Sequence, residues 1–333
     1  MDTSKSRFCP VGLLASIRRH ARAFFLPFAI FLAVPSFAQA AAIVFVSTEE
    51  EDASIIDNAW NAFSTQAGLA SLSITDGRGA LGADAATSAS PSAGTPLSTL
   101  IASDTKLIVV MTTYEYMNDE RLAELLAILD SRKDLAVVAF IDGCDLCGPD
   151  HNLKDFVDKV NEIRPASWST PIAFDTIVND SYTAYLNSSS PYATPFSDES
   201  QFVGYYFTPL LNVPSGYALY TESNGVDDVT LVVPQQESSG GNGACLFLTG
   251  DTSMFDPNPA VVPLVNQGQY AILAKDFINA ALDAKGACAP KKDDGGGEDN
   301  NTAHSIPALD GTALALLALM LAAGAAGLLR RGS

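Results

Sequence analysis

Hydrophobic and polar positions change their period several times along this 333-residue chain. AAIVFVS (41–47), LIVVMTT (107–113) and LAVVAFID (135–142) are near-continuous apolar runs rich in β-branched residues, as strands buried on both faces require. Helical spacing appears between them. Ile55, Ile56, Trp60 and Phe63 share one face before Gly68 can stop the helix, and LSIT then makes a short strand ahead of a Gly, Ala and Ser-rich loop over 76–95. Asn118-Asp119-Glu120 opens the helix RLAELLAILDS with acids in its first turn, where the helix dipole favours them, and HNLKDFVDKVNEI gives a further helix. The order β-α-β-β-α-β-α predicts an α/β fold with a mainly parallel sheet and helices on both faces. YALYT, DVTLVVP and ACLFLTGD predict later strands, and YAILAKDFINAALDA a closing helix. The stretch 167–214, rich in Ser, Thr, Tyr and Pro, is expected to be an irregular insertion or cap over one sheet edge. Its aromatics, among them Trp168, Tyr182, Phe202, Tyr205 and Tyr206, are expected to pack against the sheet.

The two ends follow other rules. Arg18, Arg19 and Arg22 precede the apolar run FFLPFAIFLAV, and Ala38 and Ala40 supply the small residues a signal peptidase reads, so residues 1–40 form a secretory signal. Thr312 to Leu329 is an uncharged run of 18 residues, near the lower end of the roughly 17–25 needed to cross a bilayer. Arg330 and Arg331 close it with the charge expected on the cytoplasmic side. Residues 291–305, KKDDGGGEDNNTAHS, form a flexible solvated linker between this tail and an exported domain spanning 41–290.

Ile306-Pro307-Ala308-Leu309, followed by the apolar helix and terminal arginines, resembles the IPTL type of the PEP-CTERM-like protein-sorting tails of Gram-negative bacteria. The resemblance covers 306–331 and implies recognition by a membrane-embedded sorting enzyme. It implies an exported protein, either anchored in the inner membrane and facing the periplasm or transferred to the cell surface.

Charge narrows the partners. Removing 1–40 and the terminal Arg330 and Arg331 takes away seven of the 19 basic residues and one of the 38 acids, which leaves 12 basic against 37 acidic residues with Asp310 still counted. Such a surface repels nucleic acid, and the expected partners are the membrane, reached through the C-terminal helix, the sorting enzyme, and a surface ligand of unspecified chemistry.

Most of the body, through its order of elements, the segment VPSGY (213–217) and the late strand ending GDTSMFD (250–256), resembles the class I glutamine amidotransferase-like fold, a flavodoxin-like sheet. The resemblance implies a nucleophilic cysteine after a comparable strand, and Cys144 stands there. The late histidine that would activate it is missing, since the chain has no His between Asn152 and Ala303. Cysteine count points to disulfides: Cys9 leaves with the signal, and Cys144, Cys147, Cys245 and Cys288 remain for an oxidising compartment. Cys245 begins a strand and Cys288 follows the next helix, which returns the chain to that strand's starting end, so these two are expected to pair and Cys144 to pair with Cys147.

Ligands of open parallel sheets bind beyond the carboxyl ends of strands. Asp142, Asp251, Asp256 and Glu50 lie at such exits and make up the candidate ligand or metal site, with a divalent cation as the one cofactor considered. The reading favoured by sequence is a non-catalytic surface protein displaying a ligand site. The alternative is an exported enzyme, either a metal-assisted hydrolase or a thiol oxidoreductase using Cys144 and Cys147.

Overall fold

A computed structural model describes residues 43–49, 53–86, 88–142, 151–223, 225 and 227–289. The signal segment with Ala38 and Ala40, Glu50, Cys144, Cys147, the linker, and the tail with Ile306 to Leu309, Arg330 and Arg331 lie outside the described residues. Among those described, no helix is long and apolar enough to cross a membrane.

In chain order the elements are β1 (Ile43–Ser47), α1 (Ala53–Leu69), β2 (Ile74–Gly77), β3 (Leu107–Thr112), α2 (Asp119–Ser131), β4 (Ala136–Ile141), α3 (His151–Ile163), β5 (Ala173–Phe174), β6 (Val178–Leu186), β7 (Gln201–Phe207), β8 (Leu210–Leu211), β9 (Ala218–Glu222), β10 (Asp228–Val233), β11 (Cys245–Thr249) and α4 (Gln269–Leu282). Every residue of β1, β3, β4 and β11 is buried. Successive strand side chains point to opposite faces. Phe45, Val109, Val138 and Phe247 therefore pack with Ile56, Phe63, Leu273 and Phe277 of α1 and α4. Val46, Val110, Val137 and Leu248 pack on the other face with Leu125 and Leu129 of α2 and Phe156 and Val160 of α3. Asn118 caps α2 by accepting a hydrogen bond from the Glu120 amide, as its position before two acids predicts.

The strands form one sheet in the order β2-β1-β3-β4-β11-β10-β9-β6-β7, with β8 joined to β10 and β5 to β8. The first five are parallel, and their order is the 2-1-3-4-5 of flavodoxin-like sheets with β11 in fifth place. From β10 onward every pairing is antiparallel. The sheet is thus mixed, which corrects the expectation of a mainly parallel one. The reason lies in the connections: a parallel neighbour needs a crossover of a dozen or more residues, usually a helix, whereas β10 starts only six residues after β9 ends and 234–244 hold no α-helix.

The stretch 167–214 is a second correction. It contributes β5, β6, β7 and β8, so it continues the sheet as regular strands instead of being irregular, and its outer strands fold over the exit of β11. Trp168, Tyr182, Phe202 and Phe207 are buried there, as expected. Tyr206 takes φ 63, a left-handed turn that is rare for a bulky residue, opposite the bulge between Val178 and Ser181 of β6.

Outermost β7 would leave unpaired backbone groups at the sheet edge. Side chains close it. Gln269 accepts from the Val203 amide at 3.0 Å and donates to its carbonyl at 2.9 Å, imitating a neighbouring strand. Two residues along, Ser253 accepts from the Tyr205 amide at 2.6 Å and donates to the Tyr205 carbonyl. The antiparallel half therefore curls back onto the exit of β11, where Thr208 also donates to the Gly250 carbonyl at 2.8 Å.

Cys245 and Cys288 form a disulfide across 43 residues, with Cα atoms 5.1 Å apart, joining the start of β11 to the chain beyond α4 as the βα argument predicts. In the chain-entropy account a loop of this length contributes about 4 kcal/mol.

Replacing Gln269 by Ala strips the Val203 amide and carbonyl of their partners. The expected loss is about 1–3 kcal/mol in urea denaturation, together with concentration-dependent self-association in light scattering through the opened edge. Unchanged stability in a monodisperse sample would contradict the edge-closing role.

Candidate functional site

β4 and β11 are neighbours, so the residues leaving them, Asp142 and Asp251, come out side by side at the carboxyl end of the sheet. Asp251 is completely buried. Its Oδ1 accepts from the Ser253 amide at 2.7 Å, and its Oδ2 accepts from the Ser253 hydroxyl at 3.0 Å and from the Tyr182 hydroxyl. The single proton of Ser253 is shared between this carboxylate and the Tyr205 carbonyl. β7 passes so close that a Cβ on Gly204 would stand 2.4 Å from Asp251 Oδ2 and 2.6 Å from the Tyr182 hydroxyl oxygen, so no larger residue fits. Thr252 donates to Asp142 Oδ2 at 3.3 Å and links the two exits.

Burial pushes the Asp251 carboxyl up to about 6, against the opposing pull of the hydrogen bonds from Tyr182 and Ser253. The Tyr182 phenol is driven well above its ordinary range, first by burial and then by the adjacent Asp251 charge. Tyr182 is thereby fixed as a donor. Chemically the group is a sealed tie among β6, β7 and the β11 exit, with no face of the carboxylate open to a substrate.

The four carboxylates read from the sequence therefore separate. Asp142 and Asp251 meet. Asp256 shapes the next turn, accepting from the Asn258 amide at 2.7 Å, while Glu50 lies outside the described residues. Among the described residues no three His, Cys, Asp or Glu side chains converge closely enough to hold a metal ion.

An opening exists elsewhere on the same edge. A groove of about 560 Å³ at the exits of β1 and β2 is lined by Thr48, Glu49, Asp57, Asp76, Arg78 and Gly79. Arg78 donates from Nε to both Asp76 oxygens at 3.1 and 3.2 Å, from Nη2 to Asp76 Oδ2 at 2.7 Å, and from Nη1 to Asp57. Its guanidinium also lies over the Trp60 ring, 5.3 Å from the centroid. The hydrogen bonds from Arg78 hold Asp76 below the usual carboxylate range. Sequence reading missed this group because it ended the strand at Thr75 and assigned Asp76 to a loop. β2 runs to Gly77, where a Cβ would come within 2.8 Å of the Phe45 carbonyl, and that glycine after LSIT was the signal of close strand packing.

Between groove and latch, β1 and β3 flank the point where strand order reverses. The hydroxyls of Thr48, Thr112 and Thr113 there, and of Thr208 beside β11, are buried without a hydrogen-bond partner among the described residues.

No protein-family model and no curated protein sequence matches the chain. Among solved structures the chain is similar to a ThuA-like protein from Bacteroides uniformis, at 11% identity over 74% of this chain and 94% of that one, with a TM-score of 0.42. It is also similar to the glutaminase domain of Trypanosoma brucei CTPS with bound acivicin, at 8% identity over 72% and 93% of the respective chains, with a TM-score of 0.33.

Two predictions follow from the buried acids. Gly204→Ala forces the latch apart and should destabilise the protein by about 1–3 kcal/mol in chemical denaturation, with Tyr182 exposed to solvent in its absorbance. The second concerns pH. Burial first, then the charge of Asp198, raises Asp276 to about 7 from 3.8, and burial raises Asp228 to about 7. Groups raised on folding bind more protons in the native state, so their stabilisation is present at low pH and is lost as pH rises from about 4 through 6–7. Asp76, lowered by Arg78, acts oppositely and only as pH falls through 3.8. Unfolding free energy should therefore fall between pH 4 and 7, and Asp276→Asn should lessen that slope by about 1.4 kcal/mol per pH unit. Denaturation curves rising across that range would refute it.

Proposed function

We propose that the chain is an exported, non-catalytic α/β domain, tethered by its linker and C-terminal segment to a membrane or the cell surface, and presenting a ligand site at the carboxyl edge of its sheet. The body is read as a glutamine amidotransferase-like, flavodoxin-like fold used without that fold's chemistry. One observation carries the non-catalytic part. The acid at the strand exit where this topology would put reactive groups, Asp251, is sealed by Tyr182, Ser253 and the close passage of Gly204.

Export is supported by the arginine-flanked signal segment, the acidic linker and the Ile306-Pro307-Ala308-Leu309 tail. The Cys245–Cys288 bond agrees with an oxidising compartment. In the proposed arrangement 291–305 stands the domain off from the bilayer, and the tail passes to a sorting enzyme that reads it.

The test is the intact mass of the native protein from membrane and surface fractions, with and without reduction. The expected chain begins at Ala41, carries an oxidised Cys245–Cys288 pair, and ends near Ile306 if sorted or at Ser333 if only anchored. A soluble chain retaining Met1, with both cysteines reduced, would overturn the proposal.

A further inference from the structure

We propose that the Cys245–Cys288 disulfide is a mechanical clamp, which passes tension from the C-terminal tether directly into β11 and keeps α4 out of the path of the force. The inference rests on the tethered reading above and gives that tether its point of attachment. Cys288 lies just before the linker, which begins at Lys291, and it is bonded to Cys245, the first residue of β11. Everything from 246 to 287, α4 included, is inside the loop that this bond closes. A pull on the linker therefore reaches a strand with a neighbour on each side before it reaches the helix.

The two routes meet force differently. Without the bond, tension falls on the segment after α4, where the Ala287 carbonyl accepts from the Gln235 amide at 2.8 Å, and then on the last turn of α4 itself. A helix drawn from its end gives up its i to i−4 hydrogen bonds one after another. With α4 would go Leu273, Phe277 and Ile278, which are buried in the core on that face of the sheet. β11 yields less easily. It pairs with β4 over 245–249 and with β10 over 246–249, and ladder bonds lying across the strands are strained together when a strand is drawn along its own axis. At its other end Asp251 is held by Tyr182, and Ser253 by the backbone of Tyr205, so the strand cannot slide toward the anchor without breaking the latch. Because the pulled end is the amino end of β11, tension also turns the carboxyl edge of the sheet away from the anchor.

The experiment is force spectroscopy on the full native chain in detergent, held by its linker and by Ser223, an exposed residue between β9 and β10 at the carboxyl edge. Forced unfolding reads the barrier along the pulled direction and not equilibrium stability. The oxidised protein should open without first shedding α4, and its final extension should fall short by the closed loop of 43 residues, about 150 Å of extended chain. After reduction, α4 should peel as a separate early step at a force at least twofold lower. When the linker handle is moved to Ala41, reduction should leave the first step nearly unchanged. A bond that merely stabilised the whole fold would lower both arrangements alike, and that result would overturn the proposal, as would an oxidised chain that sheds α4 when pulled by its linker. Cys288→Ser should behave as the reduced protein, and if that variant does not fold, reduction of the already folded native chain decides. A soluble chain in the mass measurement would remove the tether and leave the force asymmetry as a property of the fold. A tethered chain that sheds α4 while oxidised would remove this inference and leave the display reading intact.

Discussion

A carboxylate shut away from water must be given donors, and in this protein the demands of Asp251 organise half the sheet. Its two oxygens draw in the Ser253 amide, the Ser253 hydroxyl and the Tyr182 phenol, which come from the β11 exit and from β6. Ser253 then spends its remaining capacity on the backbone of Tyr205, so the latch also closes the outer edge of β7. Gly204 is the geometric condition for all of this, since any side chain there would occupy the space of the hydrogen bond. Remove the acid, and the outer strands β6 and β7 lose one of their ties to the β11 exit and part of their edge protection. The arrangement costs the desolvation of a charge, which is why the Asp251 carboxyl sits at about 6 despite three donors.

The parallel half depends on a different device. β1, β3, β4 and β11 are buried throughout, and alternation sends their side chains to two helical layers, α1 with α4 and α2 with α3. No polar tie is needed where apolar area on both faces holds the strands. The Cys245–Cys288 bond secures the amino end of β11, and the Asp251 latch secures its carboxyl end. β11 is thus the seam between the two halves, parallel to β4 on one side and antiparallel to β10 on the other.

Sequence patterning revealed what local physics decides and missed what distant residues decide together. The continuous apolar runs became β1, β3, β4 and β11, the helical periods became α1 to α4, and the Cys245–Cys288 pairing followed from the geometry of a βα return. The antiparallel direction of β10 was also legible, in the absence of a helix between it and β11, but buried runs carry no arrow and the connection was not weighed. β6 and β7 were hidden for another reason. VNDSYTAYL and QFVGYYF look like loop because their polar residues serve a latch whose partners, Tyr182 and Asp251, stand 69 positions apart. The candidate carboxylates were placed at the right edge, and Asp142 and Asp251 do meet, yet spacing along a chain does not distinguish a sealed acid from an open one. The groove escaped because Asp57, Asp76 and Glu49 belong to three elements that only the register of β1 with β2 brings together.

An excess of acids obliges a fold to treat each carboxylate near its core differently, and three treatments coexist here. Asp251 is buried and supplied with donors. Asp76 is forked by an arginine and held ionised. Asp276 is completely buried, and that burial with the nearby Asp198 charge raises its carboxyl to about 7, so it keeps its proton over most of the acid range. Each treatment removes a carboxylate from service as a free anion. Among the described residues Glu49 receives none of them: it is exposed, on the wall of the groove at the exits of β1 and β2.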